Sequence, residues 1–245
     1  MSETDARAAR VALEQLLEGR SLDLPPSFGD RVERFIGLLL DANRRLNLTR
    51  VVEPEAVARL HLLDSVAALP AIDALTPSSA VDLGSGGGVP GMVLALARPE
   101  VAWTLVDSVA KKTDALRAFA VDLGLANVSV ITARAEDLGR DPAHRATHGL
   151  VTARAVAALP VLVEYALPLL NERGALLAWK GPITDAELRA GAAASAELGG
   201  GAPRVEPSGH AALGDHRFVI VRRERPTPAR YPRRAGEPSR RPLGG

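Results

Sequence analysis

Five glycines in eight residues, beginning two residues after an acidic residue, form the part of the sequence best suited to hold a small ligand. The segment reads Ala80-Val81-Asp82-Leu83-Gly84-Ser85-Gly86-Gly87-Gly88-Val89-Pro90-Gly91, and an apolar pattern of helical spacing begins at Met92. It predicts a strand, a tight turn and a helix. Glycine permits positive φ and lets a ligand approach the main chain, and the first turn of a helix offers unpaired N–H groups. We therefore expect a ligand site at this turn.

Three kinds of ligand compete for the turn. A P-loop requires a Lys after its last glycine, and none follows here. A dinucleotide site requires Gly-x-Gly-x-x-Gly, which Gly86, Gly88 and Gly91 match, although Pro90 interrupts the pattern. The third ligand is S-adenosylmethionine (SAM), which is cationic at its sulfonium and amino group and has no phosphate. Asp82 would attract such a cation and repel a pyrophosphate, which favours SAM. A purely structural role for the glycines is the remaining alternative.

The elements that must position this turn alternate along the chain. Strands are predicted at 79–83, 101–106, 128–131, 149–153, 174–179 and 217–221, and helices at 5–19, 28–46 and 55–69 precede the first strand. Alternating strands and helices predict a mostly parallel, doubly wound sheet. Ligands of such sheets bind outside the carboxyl ends of the strands.

That rule selects the candidate ligand-binding residues. Besides the glycines, the strand ends carry Asp82, Asp107, Ala135 with Glu136, and Arg154. Asp107 lies 19 residues after Gly88, where nucleotide-binding folds place an acid for the ribose hydroxyls. Its alternative role is to cap the helix that follows.

Composition limits the classes of protein and of chemistry. The 245 residues suffice for one domain with appendages. Cysteine is absent, which excludes disulfides, thiolate metal sites and cysteine nucleophiles. The first ten residues contain no apolar signal core, and the apolar stretch 159–170 is too short to span a bilayer. We expect a cytoplasmic protein, without a metal and monomeric.

Charge is distributed unevenly along the chain. Residues 222–245 contain eight arginines and two glutamates, a net charge of +6, whereas the rest of the chain carries −5 within the total of +1. A basic tail on a mildly acidic body indicates a polyanionic partner; a solvated, disordered tail is the alternative.

Motifs along nearly the whole chain resemble the RsmG (GidB) family, the bacterial guanine-N7 methyltransferases of small-subunit rRNA. The glycine turn alone indicates only a SAM-dependent methyltransferase. The more specific matches are Asn47-Leu48-Thr49, His61-Leu62-Leu63-Asp64-Ser65, Leu105-Val106-Asp107-Ser108 followed by Lys111, Arg134-Ala135-Glu136, Thr152-Ala153-Arg154-Ala155, Lys180-Gly181 and Tyr231-Pro232-Arg233-Arg234-Ala235-Gly236-Glu237-Pro238.

The resemblance implies SAM contacts at Gly84, Val89, Asp107, Ala135, Glu136 and Arg154, which join Asp82, Gly86 and Gly88 as candidate cofactor-binding residues. Three positions depart from the family pattern: His148-Gly149 stands in place of Phe-Asp, Ala115 in place of a Phe, and Val89 in place of a larger apolar residue. We expect these changes to affect packing around the ligand pocket without removing a ligand-binding group.

The chemistry of guanine N7 suits the residues present. Without cysteine, covalent attack on a pyrimidine is excluded, and the Asn/Asp-Pro-Pro-Tyr/Phe motif for amino methylation is missing. N7 is a bare lone pair on the major-groove edge and requires no deprotonation, so we expect no obligatory general base. Orientation of the two reactants would supply the rate. Arg154 and Lys180 are the candidates for positioning RNA or the cofactor carboxylate.

We therefore interpret the chain as an α/β, class I SAM-dependent methyltransferase with a Rossmann-like sheet at 76–223, an N-terminal helical extension at 1–75 and a basic tail at 224–245. The expected partner is 16S rRNA or a precursor of the small ribosomal subunit, contacted by Lys180, Tyr231, Arg233 and Arg234. The alternatives are a SAM-dependent methyltransferase for another acceptor, a dinucleotide-dependent oxidoreductase and a non-catalytic RNA-binding factor.

Overall fold

Seven strands form one sheet at the centre of the computed structural model, which describes residues 2–244. They are β1 (Ser79–Leu83), β2 (Ala102–Asp107), β3 (Val128–Thr132), β4 (His148–Arg154), β5 (Leu170–Lys180), β6 (Arg204–Pro207) and β7 (Arg217–Arg222). Their order is β3-β2-β1-β4-β5-β7-β6. The first five strands are parallel, whereas β7 is antiparallel to both β5 and β6. The mostly parallel, doubly wound sheet expected from the sequence is confirmed.

Helices cover both faces of this sheet and extend beyond it at the N-terminus. They are α1 (Ser2–Leu16), α2 (Phe28–Leu46), α3 (Pro54–Val57, continued by a π-helical segment Ala58–Leu63 and a last turn Asp64–Val66), α4 (Leu69–Asp73), α5 (Gly91–Ala97), α6 (Ala110–Asp122), α7 (Ala135–Leu138), α8 (Leu159–Ala166), α9 (Asp185–Leu198) and α10 (Glu237–Arg240). No helix among residues 2–244 is long and apolar enough to cross a bilayer.

One hydrophobic core lies on each face of the sheet. On one face, Phe35 and Leu39 of α2 are buried together with Met92 of α5 and Trp103 of β2. Because α2 belongs to the N-terminal extension, the extension shares this core with the sheet. On the other face, Leu162 of α8 and Leu198 of α9 cover β4 and β5, and Tyr231 of the tail is buried in the same cluster.

Candidate functional site

The glycine turn connects β1 to α5 through three residues of positive φ. Gly84, Gly86 and Gly88 have φ values of +67°, +55° and +95°, which L side chains rarely adopt. Gly91 begins α5 against β1 and β2, and a Cβ added there would lie 2.6 Å from Asp82 Oδ2 and collide with Leu105. The glycines therefore serve both the turn and the close packing of the helix behind it.

Asp107 fastens this turn from the end of β2. Its Oδ2 accepts from Gly86 N–H at 3.0 Å, and its Oδ1 accepts from Val109 N–H at 2.9 Å. Lys112 Nζ lies 3.7 Å from Oδ2, so the cation beside Asp107 is Lys112 and not Lys111 of the sequence motif. Each carboxylate oxygen can accept a further hydrogen bond. Asp107 can therefore hold the Val109 N–H before α6 and contact a ligand at the same time.

A cavity of about 380 Å³ opens at the carboxyl ends of β1, β2 and β3. We refer to it as the β1–β2 cavity; it is lined by Leu83, Gly84, Val106, Asp107, Ser108, Val109, Lys112, Ala133, Arg134, Ala135, Glu136, Ala155, Val156 and Tyr165. Four of the candidate cofactor residues, Gly84, Asp107, Ala135 and Glu136, thus lie together on its wall. Its size falls in the range of small-molecule sites.

Asp82 lies beneath this cavity and does not line it. The side chain is fully buried, Thr152 Oγ1–H donates to Oδ1 at 2.7 Å, and Oδ2 has no hydrogen-bond partner among the described residues. Burial raises the pKa of Asp82 to about 6. Gly88 and Val89 are also outside the lining, and a Cβ at Gly88 would meet Met92, Leu116 and Phe35. The structure therefore gives Asp82 and Gly88 positions in the packing behind the turn, not at the cavity wall where the sequence analysis expected ligand contacts.

A second cavity, of about 520 Å³, adjoins the first at the carboxyl ends of β4 and β5. We call it the β4–β5 cavity; it is lined by Val51, Leu60, His61, Asp64, Ala153, Arg154, Ala155, Val156, Ala157, Leu162, Trp179, Lys180, Gly181 and His216. Ala155 and Val156 line both cavities. Ala155 has φ +56°, an uncommon conformation for a residue with a Cβ. A strained backbone residue thus separates two adjoining cavities.

Asp64 of α3 is the centre of a polar cluster in the β4–β5 cavity. Its Oδ2 accepts from Arg154 Nη1 at 3.1 Å, and its Oδ1 lies 3.0 Å from His216 Nδ1. Its main-chain oxygen accepts from Trp179 Nε1 at 2.8 Å. The carboxylate is almost fully buried, whereas 39% of the His216 side chain is exposed. Asp64 therefore holds three side chains, of which His216 is the most exposed.

Arg154 belongs to the β4–β5 cavity, although the sequence analysis also expected it to bind the cofactor. Its Nη1 donates to Leu60 O at 2.6 Å as well as to Asp64. Leu60 lies in the π-helical segment of α3, and such segments, with i→i+5 pairing, occur frequently at functional sites. His61 of the same segment is buried, and burial, followed by repulsion from Arg154, lowers its pKa to about 4.

Lys180 is the last residue of β5 and also lines this cavity. Its Nζ donates to Ala157 O at 2.9 Å and to Glu187 Oε1 at 2.8 Å. Burial alone would raise the pKa of Glu187, but the hydrogen bonds from Lys180 and from Leu159 N–H outweigh it and lower the pKa. The ammonium is therefore fixed in place and lines the cavity together with Arg154.

Two of the tail residues expected to contact RNA, Tyr231 and Arg233, are packed into the body of the protein. Tyr231 is 4% exposed, its hydroxyl donates to Glu197, and Arg230 covers its ring at 4.9 Å. Its ring faces are therefore not available for stacking on a base. Arg233 Nη2 and Nε donate to the fully buried Glu164 at 2.6 and 2.9 Å. The sequence does not show that Arg233 forms an ion pair with a buried glutamate, because Glu164 lies far from it along the chain.

Arg234 remains exposed, as an RNA-contacting residue would be. The tail also reaches the β1–β2 cavity, because Gly236 N–H donates to Glu136 Oε1 at 2.7 Å.

The pair His148-Gly149 lies at the amino end of β4, at the other end of that strand from Arg154. His148 stacks on His144 with ring centroids 5.5 Å apart, and Gly149 packs against Pro77. Contrary to expectation, this departure from the family pattern does not change the packing around either cavity. Burial, followed by repulsion from His144, lowers the pKa of His148 to about 4.

His216 is the cavity residue that sequence analysis missed. It directly precedes β7, which is antiparallel to β5, so the amino end of β7 lies beside the carboxyl end of β5. The rule for parallel strands considers only carboxyl ends and therefore did not select His216. Within residues 2–244, no group of three or more acidic, histidine or cysteine side chains is arranged to hold a metal ion.

Comparisons with known proteins agree with this geometry. A family model described as rRNA small subunit methyltransferase G (GidB) matches residues 30–209. The proteins of that name from Deinococcus radiodurans and Deinococcus deserti are 43% and 44% identical to this chain. The alignments cover 96% and 95% of the chain and 93% and 96% of those proteins. Among solved structures, mitomycin 7-O-methyltransferase MmcR aligns with a TM-score of 0.56 at 16% identity, over 76% of this chain and 60% of that one, a likeness of fold.

Proposed function

Because the chain belongs to the rRNA small subunit methyltransferase G (GidB) family, we propose that it transfers a methyl group from SAM to N7 of a guanine in 16S rRNA. The resemblance seen in the sequence, the class I methyltransferase fold and the enzyme class are thereby confirmed. The observation that carries the proposal is the pair of adjoining cavities with the common wall Ala155–Val156. One cavity would hold the methyl donor, and the other would hold the acceptor base.

The residues of the β1–β2 cavity fit SAM. Asp107 offers carboxylate lone pairs to the two ribose hydroxyls, and the exposed main chain of Gly84 permits close approach of the amino-acid portion. Glu136 and Ala135 lie on the same wall. The carboxylates of Asp107 and Glu136 suit the cationic groups of SAM, and Lys112 and Arg134 on the same lining could contact its carboxylate. When bound, SAM supplies a methyl group on a sulfonium, and transfer leaves a neutral thioether and a cationic guanine.

Positioning is the main task of the protein in this reaction. The N7 lone pair forms the new bond without losing a proton, so no side chain has to act as a base. Arg154 and Lys180 are held rigidly by Asp64 and Glu187, and they are placed to orient the RNA strand that enters the β4–β5 cavity. Orientation of this kind supplies a large share of the rate of a bimolecular transfer.

Exposed cations around the cavities suit an RNA partner. Arg134 lines the β1–β2 cavity, and Lys111 and Arg234 are exposed. The partner we propose is 16S rRNA or a precursor of the small subunit, encountered in the cytoplasm by a monomer. Neutralisation of phosphates by such residues makes affinity depend on salt.

The test is methylation in vitro. The protein would be incubated with methyl-labelled SAM and with small ribosomal subunits isolated from cells that lack this enzyme. We expect label in 16S rRNA at one guanine, and cleavage at that nucleotide by borohydride and aniline, because N7-methylguanine carries a fixed positive charge that opens the ring to this treatment. Labelled RNA that resists cleavage would contradict N7 as the acceptor and favour another atom. RNA without label would contradict the proposed function itself.

A further inference from the structure

We propose that His216 recognises the target guanine by accepting a hydrogen bond from N1–H of the base through Nε2, an inference that rests on the proposed function. Asp64 acts behind it as a positioning residue. His216 lies in the connection between β6 and β7 and lines the β4–β5 cavity together with Arg154.

The contact with Asp64 determines which ring nitrogen is presented. A carboxylate only accepts hydrogen bonds, so His216 Nδ1, 3.0 Å from Asp64 Oδ1, carries a proton. In the neutral imidazole, Nε2 then carries the lone pair. Among the described residues, Nε2 has no hydrogen-bond partner, while the side chain lines the β4–β5 cavity and is 39% exposed. The pair thus presents a fixed acceptor to the cavity.

Such an acceptor distinguishes guanine from adenine. Guanine has N1–H and an amino group as donors on its Watson–Crick edge, whereas N1 of adenine is an acceptor. Guanine N1–H can donate to the imidazole lone pair, whereas adenine would place the lone pair of its own N1 against it. An unpaired buried acceptor discriminates more strongly than a missing apolar contact.

The location of His216 agrees with transfer to N7. N7 lies on the edge of the purine away from N1 and the amino group, so an enzyme that alkylates N7 must leave that edge free. A base held at His216 by its N1 edge directs N7 across the β4–β5 cavity. Ala155 and Val156 form the wall toward the proposed methyl donor.

This hydrogen bond would also contribute to the rate. Positive charge develops on the guanine as N7 is alkylated, and N1–H becomes a stronger donor. The bond to His216 Nε2 is therefore stronger in the transition state than in the ground state, which is the condition for lowering the barrier. Loss of the bond should reduce kcat more than it raises KM.

The test compares His216→Phe with His216→Gln in single-turnover methylation of saturating small subunits. Phe retains an aromatic ring without an acceptor, whereas Gln places an amide oxygen close to the position of Nε2. We expect His216→Phe to lower the single-turnover rate about 10- to 100-fold, as for a lost hydrogen bond in the transition state, and His216→Gln to recover most of the rate. The dissociation constant of SAM, measured by calorimetry, should stay within about twofold in both.

His210→Phe is the matched control. His210 is in the same β6–β7 connection, but its Nε2 contacts Leu16 O at 2.9 Å and it is outside both cavities. We expect this variant to lose melting temperature without losing rate. A wild-type rate in His216→Phe, or equally slow rates in His216→Phe and His216→Gln, would overturn the role of His216 and leave the proposed function standing. Absence of methylation by the wild-type protein would instead contradict the proposed function.

Discussion

A single carboxylate, that of Asp107, holds the glycine turn and lines the β1–β2 cavity. It accepts from Gly86 N–H and Val109 N–H, and oxygen lone pairs remain for a ribose. We expect Asp107→Ala to weaken SAM binding by about 1.5–3 kcal/mol, the scale of a lost charge-assisted hydrogen bond, as measured by calorimetry. Asp122→Ala, which removes an exposed carboxylate at the end of α6, is the control. Unchanged SAM affinity in folded Asp107→Ala would contradict the site.

Asp82 should make stability depend on pH. Burial raises its pKa in the folded protein to about 6, from an ordinary value of 3.8. The folded state therefore favours the protonated acid, and its contribution to stability is complete below pH 3.8 and is lost as the pH rises toward 6. Asp82→Asn cannot ionise, so its melting temperature relative to wild type should rise between pH 4 and pH 7. A difference that does not vary over this window would show that Asp82 is not buried in the manner described.

The contrast between Asp82 and Asp107 shows what a sequence can predict about a site. Both acids were expected at strand ends, and both are there. In the pairing of β1 with β2, however, Asp82 lies opposite Leu105 and Leu83 lies opposite Val106. Asp107 is therefore two residues nearer the carboxyl end of the sheet than Asp82. That offset is about 6–7 Å along a strand, enough to separate a cavity wall from the core. Register depends on how the strands pair, which spacing along the chain does not reveal.

At the scale of elements, α5 can begin where it does only because Gly91 has no side chain. A Cβ at this position would lie 2.6 Å from Asp82 Oδ2 and would collide with Leu105. We expect Gly91→Ala to lower the free energy of unfolding by about 1–3 kcal/mol, as overpacked cores do, in urea titrations. Gly181→Ala is the control, since nothing lies within 4 Å of its added Cβ. Equal stability of the two variants would contradict the close approach of α5 to the sheet.

Elements with strong apolar patterns were predictable, and those that depend on tertiary contacts were not. The strands that became β1, β2 and β4 are apolar runs, as buried parallel strands are. β6 escaped prediction because Arg204, Glu206 and Pro207 give it no such pattern, and it exists through pairing with β7. The strand after His216 was predicted, but its antiparallel direction was not, so the sequence did not show that His216 lies at the carboxyl end of β5. The π-helical segment of α3 likewise has no signature in the residues.

At the scale of the whole molecule, both ends of the described chain are built into the body. The N-terminal helices complete the core on one face of the sheet, and the tail crosses α8 on the other. Arg145 fastens the tail by donating to Tyr231 O at 2.7 Å and to Thr227 O at 3.1 Å. The net charge of the tail indicated a polyanionic partner, but charge alone does not tell which arginines are already paired inside the protein.

Neighbouring arginines of the tail should therefore have different functions. Arg233 is bound to Glu164, which is fully buried, so Arg233→Ala leaves a buried carboxylate without its cation. Breaking such a pair costs about 3–5 kcal/mol, and we expect a loss of that order in urea unfolding. Arg234 is exposed, and Arg234→Ala should change stability by less than about 0.5 kcal/mol. It should instead weaken rRNA binding and reduce the slope of log affinity against log salt by about 1.

Arg173→Ala is the control, because it removes one positive charge far from both named cavities. Arg173 is exposed near the amino end of β5, whereas the cavities lie at the carboxyl ends of the strands. Its removal should affect neither stability nor the salt slope. If Arg234→Ala and Arg173→Ala bind rRNA with the same affinity and the same salt slope as the wild type, the tail is a structural strap and the RNA surface lies elsewhere. If Arg233→Ala is as stable as the wild type, the ion pair with Glu164 does not anchor the tail. Separate effects, on stability at Arg233 and on salt-dependent RNA binding at Arg234, would mean that the tail is both packed into the fold and part of the surface that meets the RNA.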